Sequence, residues 1–122
     1  MKEQIKPIKE YPGYFVSNLG KIYTEFRGTK RRELKPHKHK SGYLYANIYR
    51  KTADGVRTRH YLRIHRLVYS HFIGDLRDDL TINHIDHIKT NNHFSNLEQI
   101  TMQENIRKYW KRRKKNEKNK IG

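Results

Sequence analysis

TINHIDHIKTNNHFSNLEQITMQEN, residues 81–105, carries three histidines and five asparagines in a chain that has no cysteine at all. Asparagine tolerates left-handed backbone and builds Asx turns, so a turn-rich loop accounts for much of the asparagine. It accounts neither for the histidines nor for the apolar residues threaded among them. LTINHI reads as a strand, DHIKTNNHFSN as a long turn and LEQI as a second strand. TMQE then opens a helix, with Thr101 as N-cap and Glu104 three residues on, the spacing of a capping box. A strand, a long turn, a strand and a capped helix are the expected order of elements.

Upstream, YPGYFVSNLGKIYTEF (11–26) has two short β-prone runs separated by SNLG, which predicts a hairpin. RGTKRRELKPHKHKSG (27–42) is strongly basic and without periodicity, and reads as a solvated loop. YLYANIYRK and VRTRHYLRI alternate around TADG, predicting a second hairpin over 43–64 with Arg50, Arg57, Arg59 and Arg63 on its polar face. HRLVYSHFI (65–73) has the apolar spacing of a short amphipathic helix that stops at Gly74. Past residue 106 the sequence stays helical in pattern, and residues 107–120 hold nine Lys/Arg against one Glu. Such a like-charged end is expected to fray.

The chain has 122 residues, enough for one domain and a modest core. Without cysteine there is neither a disulfide framework nor a thiolate zinc site. No stretch is apolar enough to span a bilayer, and MKEQIKPIKE lacks the apolar run of a signal peptide. The expectation is a protein of the cytoplasm, not secreted and without a membrane partner. A net charge of +16 calls for an anionic partner, and nucleic acid is the default one.

Four segments carry a family likeness. IHRLVYSHFIG, NHIDHIKTNN and SNLEQIT resemble, in order and spacing, the signature of the HNH endonucleases of phages and mobile introns. YPGYFVSNLGKIYT, with its VSN-x-G core, resembles the small β-module that often precedes that nuclease. The resemblance covers roughly residues 8–108 and implies an α+β chain. Residues 1–64 would be a β-rich DNA-contacting module, a small antiparallel sheet. Residues 65–110 would be a ββα-metal catalytic module and 111–122 a basic tail.

What the resemblance implies for chemistry is metal-dependent hydrolysis of DNA, of the strand-nicking homing type, leaving 5′-phosphate and 3′-hydroxyl ends. By position, His84 matches the general base, Asn83 and Asn105 the metal ligands, and Asn96 the middle asparagine that holds the loop. These types suit the reaction. Histidine titrates near neutrality, and amide oxygens suit one divalent ion, Mg²⁺ or Mn²⁺. Double-stranded DNA is the expected partner, with no obligate protein partner evident. Lys35, Lys38, Lys40, Arg50, Arg57, Arg59, Arg63, Arg66, Lys89, Arg107, Lys108, Lys111, Arg112 and Arg113 are the expected phosphate contacts.

Two departures stand out. Asp86-His87-Ile88 occupies a turn where the family has Asp-Gly-Asn, so an easy positive φ is lost. The Asn83/Asn105 pair also gives a metal no negative charge. Successive strand residues point to opposite faces, so Asn83 and His84 cannot serve one phosphate from regular β geometry. Two other readings stay open: a DNA-binding protein with a degenerate HNH site, and a zinc site made of His84, His87 and His93, which lacks a fourth ligand.

Overall fold

The structure, a computed structural model, describes the backbone of residues 2–26 and 28–121 and the side chains of these as far as residue 115. Three antiparallel sheets surround one short helix. The first has the order β1 (Ile5–Pro7), β2 (Tyr14–Ser17), β3 (Ile22–Thr24) and β4 (Arg32–Glu33). The second runs β5 (His37–Lys38), β6 (Leu44–Lys51) and β7 (Arg57–Arg63). The third is the two-stranded β8 (Thr81–His84) and β9 (Leu97–Ile100).

Period-two burial explains why these segments are strands. Tyr14 and Val16 face inward on β2, Ile22 and Thr24 on β3, and Ala46 and Ile48 on β6. Both expected hairpins form. The β6–β7 turn is Thr52–Gly55, closed by Gly55 N–H to Thr52 O at 2.9 Å, and Gly55 takes the positive φ that Asp-Gly turns supply.

Helix α1 (Ile64–Phe72) is the hub. Ile64 and Val68, one turn apart, are 1% and 0% exposed, and the helix touches β2, β6, β7, β8 and β9. Ile8, Tyr14, Val16, Ile22, Ile48, Ile64, Val68, Ile82 and Leu97 join in one core. Burying each such isoleucine contributes about 1.5–3 kcal/mol, so the core ties all three sheets together.

Three expectations change in detail. The basic loop contributes β4 and β5, two-residue exposed strands that hydrogen-bond to β3 and β6; pairing to an existing edge, not propensity, makes them strands. α1 ends at Phe72 without a left-handed Gly74; Ile73 and Gly74 N–H both reach Tyr69 O. Helix α2 (Met102–Ile121) continues helical through the basic end that was expected to fray. Its start follows the capping pattern in one direction, Glu104 N–H donating to Thr101 Oγ1 at 3.1 Å. The tail side chains beyond residue 115 lie outside the described residues.

Candidate functional site

On β8 the pairing register Asn83↔Glu98 and His84↔Leu97 divides neighbours between faces. His84, 4% exposed, lies on the inner face with Ile82. Its Nε2–H donates to Asn92 Oδ1 at 2.7 Å. An amide oxygen only accepts, so the proton sits on Nε2 and the lone pair on Nδ1. Tyr43 and His65 complete the surround, their ring centroids 5.8 and 5.3 Å from that of His84.

His65 stacks on Tyr43 at 5.0 Å, and its Nδ1 is buried without a hydrogen-bond partner among the described residues. Burial first, then the neighbouring His84, Arg66 and Arg63, pushes its imidazole down to about 3. It is therefore a neutral neighbour to His84 at working pH. The folded value lies below the unfolded one, near 6.5, so between about 3 and 6.5 the unfolded chain binds the extra proton. Stability from this residue is complete above pH 6.5 and falls as pH drops. Urea unfolding at pH 6.5 and pH 5 is expected to differ by about 1.6 kcal/mol, since the full slope of roughly 1.4 kcal/mol per pH unit is reached only below the unfolded value. In His65→Gln that difference should shrink; an equal difference would show that His65 does not set the acid limit.

The loop after β8 is held by side chains. Asp86 Oδ1 accepts from Ile88 N–H at 2.8 Å and from Asn96 Nδ2 at 2.9 Å, and its Oδ2 accepts from Asn91 Nδ2 at 2.7 Å. These bonds, Asn91's first, hold the Asp86 carboxyl below its usual value. Asn96 is buried, takes Asp86 N–H on its Oδ1 at 3.0 Å and also donates to Asn91 O. Its side chain is spent on the loop. His87 adopts φ +66°, so the missing glycine is replaced by a histidine in left-handed backbone.

Asn83 faces the other way. Its Nδ2 donates to Glu98 Oε1 at 2.8 Å, and Lys108 Nζ donates to the same oxygen at 2.6 Å. Lys108 chiefly, with Asn83, holds the Glu98 carboxyl below its ordinary value. With its NH₂ committed, Asn83 presents Oδ1, a hard carbonyl oxygen. A cleft of about 520 Å³ opens beside it, lined by Asn83, Ile85, His87, Lys108, Lys111, Arg112 and Lys115. Asn105 stands on the first turn of α2, half-buried, its own N–H bonded to Thr101 O. Amide oxygens such as those of Asn83 and Asn105 are the donor type that suits a hard divalent cation, and the Glu98 carboxylate is bonded to Asn83. Asn83 and His84 do occupy opposite faces, as strand geometry demands. Among the described residues no group of three His, Cys, Asp or Glu is placed to hold a metal, which removes the His84/His87/His93 zinc reading. His93 instead caps the next turn, its Nδ1 accepting from Ser95 N–H.

A family model for HNH endonucleases matches residues 62–107, and one for the NUMOD4 motif matches residues 3–49. The chain carries an HNH endonuclease domain behind a NUMOD4 motif. DNA endonuclease I-HmuI of Bacillus phage SP01 is 33% identical over 102 residues, 83% of this chain and 54% of that protein. An uncharacterised HNH endonuclease, L245, of Acanthamoeba polyphaga mimivirus is 31% identical over 89% of this chain and 31% of its own length. A solved structure of the HNH homing endonuclease I-HmuI, described as binding and cleaving DNA, superposes with a TM-score of 0.70 and 32% identity. It covers 92% of this chain and 59% of that one. The chain thus spans about half, or less, of the relatives' lengths.

The basic residues of this HNH chain fall into separate groups. Arg57 lies over Tyr49 at 4.0 Å, Arg59 over Tyr61 at 4.9 Å and Arg63 over Tyr43 at 5.4 Å, one Arg–Tyr face of the β6–β7 ribbon. Arg50 is not on it. It pairs with Thr58 rather than with an arginine position, and sits over Tyr11 on the opposite face. Lys35, Lys38, Lys40 and Arg66 are exposed, while Lys89 spans from the HNH loop to Ser41 O at 2.8 Å. Arg107, Lys108, Lys111, Arg112 and Arg113 follow α2. A larger hollow of about 870 Å³ lies by Glu10, Tyr49 and Arg57 and holds none of the HNH motif residues.

Sequence reasoning missed Asn92, Tyr43, His65 and Glu98 as neighbours of the HNH residues. The doubled Asn91-Asn92 was the available signal for the first, because two adjacent turn asparagines exceed what one turn needs. Tyr43 stands just before β6, remote in sequence, and leaves no local signal.

Proposed function

We propose that this HNH chain is a metal-dependent DNA endonuclease that hydrolyses phosphodiester bonds by nicking, in the manner of a homing endonuclease. The observation that carries the reading is the bond from His84 Nε2–H to Asn92 Oδ1, which leaves Nδ1 as the basic nitrogen, while Asn83 beside it on β8 opens on a cationic cleft at the other face. His84 Nδ1 takes the proton of a water, and that water attacks phosphorus in line as the 3′ oxygen leaves. A phosphate lying across the end of β8 is reached from both faces of the strand, by His84 from one and Asn83 from the other. Asn83 Oδ1 and Asn105 would hold a divalent ion, Mg²⁺ or Mn²⁺, which when bound supplies positive charge to the phosphate and leaving oxygen. Double-stranded DNA lies along Lys111, Arg112 and the Arg57/Arg59/Arg63 face. These phosphate contacts give affinity without dictating sequence.

A second reading draws on two observations: His84 is almost wholly buried and Asn83 is tied to Glu98, as in a degenerate site retained for DNA binding. Supercoiled plasmid with Mn²⁺ separates the two. The endonuclease relaxes it and stops in EDTA, whereas the degenerate protein shifts its mobility without a nick. EDTA should also leave the melting temperature of the free protein within a degree or so, since no structural metal contributes to folding. A large fall in melting temperature would reveal a structural metal site instead.

A further inference from the structure

The VSN-x-G stretch belongs to the N-terminal β-module, yet its turn is built against the HNH loop. Ser17 is wholly buried, and its Oγ accepts from Leu19 N–H at 3.2 Å and Lys21 N–H at 3.1 Å, fixing the turn between β2 and β3. Asn18, 4% exposed, ties β1 through its side chain, Oδ1 accepting from Gln4 N–H at 2.9 Å. Its backbone carbonyl is turned outward from the hairpin and accepts from Phe94 N–H at 2.8 Å. Gly20 completes the contact. A Cβ built there would stand 2.8 Å from Asn92 Cβ and 2.9 Å from Asn92 O, closer than side-chain carbons approach, and φ is +87°. Both obstacles are parts of Asn92 that cannot swing away.

The Asn92 side chain contributes little to its own placement. It is 4% exposed, and among the described residues its Nδ2 is buried without a partner and its Oδ1 bonds only to His84. An amide with one side-chain bond is oriented by the backbone it hangs from. That backbone is held from one side by Gly20 and, two residues on, by the Asn18 carbonyl.

We propose that the Ser17–Gly20 turn is a positioning device for the HNH histidine, setting Asn92 so that its Oδ1 holds the His84 ring with Nδ1 free. Asn92 is a positioning residue in this scheme, and Gly20 is what lets the module approach it. The NUMOD4-like part of the chain then serves catalysis as well as any DNA contact of its own. The inference rests on His84 being the base.

The test is a cycle of Gly20→Ala, Asn92→Ala and the double variant, with Gly55→Ala as control. Gly55 shares the positive φ, but a Cβ there meets nothing within 4 Å, so the control reproduces backbone strain without the contact. Single-turnover cleavage at saturating protein, DNA affinity in EDTA, and the ¹⁵N ring signals of His84 are read for each. Gly20→Ala is expected to slow cleavage by roughly 10- to 100-fold, the scale on which small misplacement of a reacting group acts. Affinity should stay within about twofold, and the double variant should be hardly slower than Asn92→Ala, because both changes break the same Gly20–Asn92–His84 linkage. The ¹⁵N signals should show the Nε2–H tautomer in the wild type and in Gly55→Ala, and a mixture of tautomers in the other variants. If Gly20→Ala does not fold, Ser17→Ala loosens the same turn without adding an atom and should show the same pattern.

A wild-type rate and ring signals in Gly20→Ala would overturn the proposal, as would rate losses that multiply in the double variant. If the wild type does not nick at all, the endonuclease reading fails. The ring signals then decide the positioning claim alone, standing if they change in Gly20→Ala and falling if they do not.

Discussion

Replacing His84 by alanine is expected to slow cleavage by roughly 10²–10⁴-fold, the contribution of a positioned general base, while DNA affinity stays close to wild type. The two readouts separate because the base acts as the water loses its proton, a step absent from the ground-state complex. The substitution also has a structural consequence that must be measured beside it. His84 is the partner of Asn92 Oδ1, and Asn92 Nδ2 already lacks one. Alanine therefore leaves a buried amide unsatisfied, at a cost of about 1–3 kcal/mol. His84→Gln is the companion variant, since its amide can still donate toward Asn92 but cannot serve as a base at neutral pH. Both variants should be inactive, with the glutamine protein melting closer to wild type. Nicking at the wild-type rate by folded His84→Ala would remove His84 from the role of base.

The parts of the fold that were legible in the sequence are those specified locally. The two hairpins announce themselves by alternation and by SNLG and TADG, and the start of α2 by Thr101 and Glu104. The HNH elements were legible because motif segments stand in order, and Asp86 and Asn96 do hold the loop between β8 and β9. What was not legible depends on partners remote in sequence. Alternation shows that Arg57, Arg59 and Arg63 share a face, but the face of Arg50 is set by the cross-strand register with Thr58. β4 and β5 exist because β3 and β6 offer edges to them, which no local pattern states. The surround of His84 is assembled from Tyr43 before β6, His65 on α1 and Asn92 in the loop, three segments with a residue each to contribute. The missing family glycine was visible; that His87 would itself take the left-handed backbone required the structure.

Converting Lys111, Arg112 and Lys115 together to glutamine is expected to flatten the plot of log affinity against log salt by up to about 2.7 units, a little under one for each phosphate left without its cation. All three side chains line the cleft beside Asn83, where a bound strand would pass. The deficit depends on salt in a definite direction. Counterion release weakens toward molar salt, so wild type and variant should converge there, while near 0.1 M salt the variant should bind up to roughly 10²–10³-fold more weakly. Lys108 is left in place because it is tied to Glu98, and removing it would disturb the carboxylate that holds Asn83. Glutamine keeps helix propensity near that of lysine and arginine, so α2 and Asn105 on its first turn should stay in place, which circular dichroism can verify. Arg112 also lies over the Tyr109 ring at 5.8 Å, an exposed interaction whose removal costs little. Cleavage at saturating protein should survive, because Asn83, His84 and Asn105 are untouched. The competing expectation is that these cations form a solvated helix face with no strand against it. That reading predicts an unchanged slope, and a slope equal to wild type in the folded variant would move the DNA path away from this cleft.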